Sequence, residues 1–106
     1  MAFLGDNGCE IWCRWDGSGT VAIEDSFNVS SVTDNGTGDY TVNFSVTMSG
    51  AQGNCVVSAQ GGMIFNANDD YSTTTTQRCI SLHRDNSYQQ LDVNMFCIAI
   101  FGDRSY

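Results

Sequence analysis

The sequence predicts an all-β fold, a single antiparallel β-sandwich or jelly-roll-like domain that spans residues 1–106. Apolar and polar residues alternate with a period of two in several segments, whereas the 3.6-residue period of an amphipathic helix is missing. Turn-forming segments separate these candidate strands at intervals of roughly 8–20 residues, and the chain contains no proline. A length of 106 residues is also typical of one domain.

The first half of the chain contains three predicted strands. Residues 9–15 (CEIWCRW) form the first, which ends at a turn over 16–19. Residues 20–29 (TVAIEDSFNV) form the second, whose apolar face is interrupted by Asp25 and consists of Val21, Ile23, Phe27 and Val29. Residues 39–47 (DYTVNFSVT) alternate most clearly, and their apolar face consists of Tyr40, Val42, Phe44 and Val46. Such alternation is typical of strands that are buried on one side only.

Three further strands are predicted at residues 54–60, 75–84 and 91–101, with turns or loops at 50–53 and 66–71. The last strand differs from the others, because its residues 96–101 (FCIAIF) are apolar on both faces. This pattern predicts a strand that is buried on both sides, either at the centre of a sandwich or against another subunit.

The segment DNGTGD, residues 34–39, places two aspartates around two glycines and raises the alternative of a calcium loop. Its spacing does not supply the ligand positions of an EF-hand loop. Asn35-Gly36 is instead a preferred pair for a tight hairpin turn between alternating strands. We therefore expect a hairpin that turns at Asn35-Gly36, and no metal site.

Charge and cysteine usage exclude several classes of function. Twelve acidic residues face four arginines and no lysine, a net charge of −8, so binding to nucleic acid or to an anionic membrane surface is not expected. The N-terminal MAFLGDNG has no secretion signal, and no apolar run approaches the roughly 20 residues of a membrane span.

Five cysteines, an odd number, and a single histidine predict reduced thiols without disulfides or zinc. We expect no cofactor.

The candidates for catalysis are few. His83 and Asp85 lie two residues apart and could meet on one face of a strand, but no nucleophile motif such as G-x-S-x-G accompanies them. A turn is favoured over an acid–base pair for Asp69 and Asp70. The chain is therefore predicted not to be an enzyme. Two candidate ligand loops remain, one at Asp16 and one at Asp69, Asp70 and Tyr71.

Trp12 and Trp15 are predicted to point to opposite faces of the first strand, since side chains alternate along a strand. One should enter the core, and the other should lie at the surface or at an interface.

The segment from Trp15 to Met48, WDGSGTVAIEDSFNVSSVTDNGTGDYTVNFSVTM, resembles a small β-module of structural and tail-fibre proteins of tailed bacteriophages, chiefly marine and cyanobacterial ones. The stretch from Val93 to Gly102 resembles the closing strand of that module more loosely. The resemblance covers about half of the chain. It implies an antiparallel β-domain on the outer surface of a virion, assembled as a homotrimer, and it supplies no catalytic residue.

These observations predict a virion structural protein, made in the cytoplasm of a host bacterium. A small capsid decoration (cement) subunit that bridges neighbouring subunits is favoured, because the chain begins with its own Met1 and has no coiled-coil shaft. Its expected partners are further copies of the same chain and the major capsid protein or another virion structural protein. The alternatives are a tail-fibre or spike component and a module that binds a host glycan. The residues expected at an assembly surface or in the core are Trp12, Trp15, Met95, Phe96, Ile98, Ile100 and Phe101.

Overall fold

The computed structural model describes residues 9–50, 55–59, 63–83 and 89–105, and for 63–71 and 83 it describes the backbone alone. Within those ranges there is no helix, and the strands form two antiparallel sheets packed together, so the predicted all-β sandwich is confirmed. The strands are β1 (Cys9–Asp16), β2 (Ala22–Phe27), β3 (Val29–Gly36), β4 (Asp39–Phe44), β5 (Cys55–Ala59), β6 (Met63–Ser72), β7 (Thr76–His83), β8 (Gln89–Gln90) and β9 (Phe96–Phe101).

The strands are divided between sheet A, in the order β2-β1-β9-β5, and sheet B, in the order β3-β4-β7-β6. The short β8 pairs with β7. In sheet A the last strand lies between β1 and β5. Its residues alternate between buried and more exposed positions, so the prediction that it is buried on both faces is wrong for the single chain. A central strand has both edges hydrogen-bonded, and the side chains of its inner face reach the middle of the core.

The side chains that face inward from the two sheets form one core. At its centre the ring of Trp15 lies 5.5 Å from that of Phe96 and 5.8 Å from that of Tyr40, measured between ring centroids. These three rings join both sheets, since Tyr40 belongs to β4 and the other two to β1 and β9. The other buried apolar residues are Ile11, Cys13, Val42, Phe44, Met48, Cys79, Ile98 and Ile100.

The chain passes from sheet A to sheet B at Asn28, so the prediction of one strand over residues 20–29 is wrong. Asn28 has a φ of 60°, a left-handed conformation that Asn tolerates better than most residues. Its Nδ2 donates a hydrogen bond to the carbonyl oxygen of Glu10 at 2.8 Å. The corner splits the predicted apolar face: Ile23 and Phe27 are 36% and 46% exposed, while the other two members pack against the core.

A hairpin forms around the predicted turn, but its first strand, β3, was not predicted, and the turn lies two residues beyond Asn35-Gly36. Gly36 is paired with Asp39, which leaves Thr37 and Gly38 as the loop. Gly38 carries the positive φ, at 66°, that the turn requires. The side chain of Asn35 is used elsewhere, since its Nδ2 donates to the hydroxyl of Thr41 at 2.7 Å.

The prediction of a loop at residues 66–71 is wrong, because these residues lie in strand β6, which pairs with β7. The register shifts between Ala67 and Ser72. Asn and Asp are unfavourable in strands, but here pairing with a neighbouring strand overrides that local preference. The last predicted strand is shorter than expected, because residues 91–95 precede β9 without regular structure.

Candidate functional site: the outer face of sheet A

Asp16 is the candidate ligand residue whose side chain the structure describes, and it is used within its own turn. Asp16 ends β1, and its Oδ1 accepts hydrogen bonds from the hydroxyl of Ser18 at 2.6 Å and from the amide of Ser18 at 2.8 Å. These bonds, led by the one from the hydroxyl, hold the pKa of the Asp16 carboxyl below its ordinary value. The carboxylate therefore stabilises its own turn, as Asx residues commonly do.

The other candidates lie where side chains are not described. Asp69, Asp70 and Tyr71 lie in strand β6, so the prediction that they form a loop was wrong. His83 ends β7, and the prediction for Asp85 lies outside the described residues. Among the residues that the structure does describe, no group of three metal-binding side chains is found.

Four of the seven residues expected at an assembly surface or in the core belong to the core of the sandwich: Trp15, Phe96, Ile98 and Ile100. Trp12 is half-buried, whereas Met95 and Phe101 are 38% and 37% exposed. Since Ile11, Cys13 and Trp15 are buried, Trp12 faces outward, and the two tryptophans point to opposite faces as predicted.

An apolar row crosses the outer face of sheet A from one edge to the other. In the β-sheet register Trp12 is paired with Phe27 on one side and with Ala99 on the other, and Ala99 is paired with Val56. Paired residues of antiparallel strands share one face of the sheet, so these four side chains stand side by side. We call Phe27, Trp12, Ala99 and Val56 the apolar row. Its two ends are open to solvent, with Phe27 46% and Val56 64% exposed.

A second row lies beside the apolar row and carries the polar groups of this face. Arg14 is paired with Asp25 on β2 and with Cys97 on β9, and Cys97 is paired with Ser58 on β5. The outer face of sheet A therefore has charges at its β2 side and small neutral residues at its β5 side.

A groove of about 380 Å³ runs along β9 between the two flanking strands. Its floor is low because the outward side chains of β9 that line it are the small Ala99 and Cys97. Its walls are higher, with Trp12 and Arg14 on β1 and Val56 on β5. The groove is therefore a direct result of small residues on a central strand between larger neighbours, and the sequence contains that signal as FCIAIF.

Arg14 is the charged residue in the lining of this groove, and it is held more loosely than the two other described ion-paired arginines. Its NH2 group lies 3.6 Å from Glu24, and both side chains are about half exposed. In contrast, Arg78 and Arg104 lie 2.6 Å and 3.0 Å from carboxylates that are 13% and 8% exposed. An exposed pair at such a distance contributes little to stability.

A partly buried polar cluster fixes the loops at one end of sheet A. The buried hydroxyl of Tyr40 lies 2.6 Å from Asp92, and the amide of Gly38 donates to the same carboxylate oxygen at 2.7 Å. The amide of Gly17 donates to the carbonyl oxygen of Val93 at 2.9 Å. These donors and acceptors are satisfied by one another, so the cluster has a structural role and the groove remains the candidate site.

The fold and this face define an acidic all-β sandwich with an exposed apolar row on one sheet. No protein-family model matches the chain, and comparison with curated proteins and with solved structures finds no match either. The residues that sequence reasoning missed are Phe27, Val56, Cys97 and Ala99. Their shared face becomes visible only from the strand order of sheet A, which brings β5 beside β9.

Proposed function

We propose that the chain is a structural subunit of a bacteriophage virion, most specifically a capsid decoration subunit, which assembles through the outer face of sheet A. The observation that carries the proposal is the apolar row, since an apolar strip left open on a protein of net charge −8 is typical of an assembly surface. The resemblance of the segment between Trp15 and Met48 to a phage β-module supports the virion as the setting.

The mechanism in this proposal is physical and involves no catalysis. A decoration subunit adds buried apolar area to the capsid, and removal of apolar surface from water is favourable. The acidic surface of the chain keeps it soluble before assembly and disfavours contact with packaged nucleic acid.

The test is the location of the chain in purified particles of the phage whose genome encodes it. Mass spectrometry of the particles should find the chain in stoichiometric amount relative to the major capsid protein. Gold-labelled antibody raised against the recombinant chain should then decorate heads. Label confined to tails would support the fibre or spike alternative, and absence of the chain from the particles would refute the proposal.

One observation favours a second candidate, a module that binds a host glycan. The groove has the volume of a small-ligand site and combines a tryptophan wall with polar groups from Arg14 and Ser58. A glycan array probed with the purified chain tests this function. Binding that disappears in Trp12→Ala would support it, and a blank array would remove it.

A further inference from the structure

We infer that the partner on the outer face of sheet A is a second copy of this chain, related by a two-fold axis that runs parallel to the strands between β1 and β9. This inference rests on the proposed function, because it names the partner of the same surface. The pair is an alternative to the homotrimer, which stays a prediction of the family resemblance.

The order of side-chain sizes in the apolar row carries the inference. Across the sheet the row is Phe27, Trp12, Ala99 and Val56. A two-fold axis between β1 and β9 places each β1 opposite β9 of the second copy, and each β2 opposite β5. Trp12 then lies opposite Ala99 of the second copy, in the groove, and Phe27 lies opposite the exposed Val56. Sheets that pack face to face are about 10 Å apart, and alternating large and small residues fills that space.

The second row, formed by Asp25, Arg14, Cys97 and Ser58, is compatible with the same pairing. The axis places Asp25 opposite Ser58 of the second copy, and Arg14 opposite Cys97. No two like charges of this row face each other, although the chain as a whole is strongly acidic. An isologous contact needs a surface that is complementary to itself, and both rows meet that requirement.

The area of the face sets the expected strength of the pair. Four strands about 4.8 Å apart, with about six residues each, give a footprint on the order of 400 Å² per copy. A stable interface buries about 800 Å² per partner, so the pair should be weak, with a dissociation constant in the micromolar range. Because two copies of net charge −8 repel each other, added salt should strengthen the association.

The experiment is sedimentation equilibrium of the full-length recombinant chain at concentrations from about 5 to 500 µM. The mass should rise with concentration from 11.5 kDa towards about twice that value, and more steeply in 0.5 M NaCl than in 0.05 M NaCl. A chain that stays monomeric throughout, or a mass that approaches three copies, would overturn the inference.

Two variants test the face itself. Val56→Arg should weaken association at least tenfold, because it places a charge opposite Phe27. Ser45→Arg is the matched control: Ser45 is exposed and follows β4 in sheet B, so the same change of charge there should strengthen association slightly through the lower net charge. Equal effects of the two variants would show that charge alone controls the mass, and the proposed face would be wrong.

A size swap tests the register. Ala99→Trp puts a large residue opposite Trp12 of the second copy and should abolish association. The double variant Trp12→Ala with Ala99→Trp restores one large and one small residue at each crossing and should recover it. Circular dichroism checks that each variant is folded, and if Ala99→Trp alone fails to fold, the double variant and Val56→Arg still decide. A folded double variant that stays monomeric refutes this axis.

The outcome also separates this inference from the proposed function. A chain that is monomeric in solution but present on virions would refute the pair and leave the virion subunit in place. A chain that pairs as described but is absent from virions would refute the virion subunit and leave the pair in place.

Discussion

The hydroxyl of Tyr40 lies 2.6 Å from the carboxylate of Asp92, although 52 residues separate the two in the chain. Tyr40 is fully buried in β4, and Asp92 belongs to the irregular segment before β9. Burial, together with the bond to Asp92, raises the pKa of Tyr40 above its ordinary value, so its hydroxyl remains the donor. The same carboxylate oxygen accepts a hydrogen bond from the amide of Gly38. The side chain of Asp92 therefore links both β4 and the hairpin turn to the segment that precedes β9.

Tyr40→Phe should lower the free energy of unfolding by about 1–2 kcal/mol, because it removes a hydrogen bond to a charged group and keeps the ring in the core. Urea denaturation followed by tryptophan fluorescence measures the change. Asp92→Asn is the control: its amide oxygen can still accept from Tyr40 and Gly38, so the loss should be smaller. Wild-type stability in Tyr40→Phe would mean that the bond contributes nothing.

Gly17→Ala should destabilise the fold by about 1–3 kcal/mol through overpacking. A Cβ at this buried position would overlap the hydroxyl of Tyr40 and the ring of Phe96. Gly19→Ala in the same loop is the matched control, since a Cβ there has open space and meets only the cost of a φ of 62°. Thermal unfolding compares the two variants. A larger loss for Gly19→Ala than for Gly17→Ala would show that backbone conformation, rather than space, makes glycine necessary in this loop.

The fold class and several strands could be predicted because their information is local. In β4 polar and apolar residues alternate without interruption, so burial on one face follows directly from the sequence. The corner at Asn28 interrupts such an alternation, and an Asn between two apolar residues is a weak sign of it. β6 could not be predicted, since its Asn and Asp residues favour turns and only the partner strand β7 makes it a strand.

The position of the hairpin turn and the groove depend on contacts between distant residues. Asn35-Gly36 satisfies the local rules for a turn, but Gly38 is the residue that meets Asp92, 54 positions later. The groove needs Ala99 beside both Trp12 and Val56, a strand order that period-two alternation does not contain. The sequence therefore predicted that one of Trp12 and Trp15 faces outward, but neither which of the two nor the row to which it belongs.

The ion pair between Asp39 and Arg78 should make stability depend on pH in the acid range. Arg78 holds both carboxylate oxygens of Asp39, at 2.9 Å and 2.6 Å. These hydrogen bonds, against an opposing effect of burial, lower the pKa of Asp39 from its ordinary 3.8. The folded state then binds its proton at lower pH than the unfolded state. The contribution to stability is therefore complete above the unfolded pKa and is lost as the pH falls through the folded one.

Asp39→Asn tests this assignment. At pH 7 the variant should be less stable than the wild type by about 1–3 kcal/mol, the range for a charge-assisted hydrogen bond. The difference should shrink as the pH falls below about 4, because the wild type then loses the same charge. Urea denaturation at pH values between about 2 and 7 measures both proteins, and other carboxyl groups cancel in the difference. A gap of constant size over that range would rule out Asp39 as the titrating group.

The buried thiols of Cys13 and Cys79 should resist alkylation in the folded protein. All five cysteines are free, but these two are buried, while Cys9, Cys55 and Cys97 are half-buried. Burial, with a smaller effect of Cys97, raises the pKa of Cys13 from 9.0 to about 12, and burial likewise raises the pKa of Cys79. At pH 8 a shift of this size lowers the thiolate fraction of Cys13 about a thousandfold, and the thiolate is the reactive form. Peptide mapping after brief treatment with iodoacetamide should therefore find Cys9 and Cys97 labelled first.

Modification of Cys13 and Cys79 then requires opening of the sandwich, so its rate reports local or global unfolding rather than the chemistry of the thiol. Sub-denaturing urea should accelerate labelling of these two positions much more than labelling of Cys9. The control is the chain in full denaturant, where all five thiols should react at similar rates. If Cys13 and Cys79 were labelled in native buffer as fast as Cys9, the two sheets would not be closed over them as described.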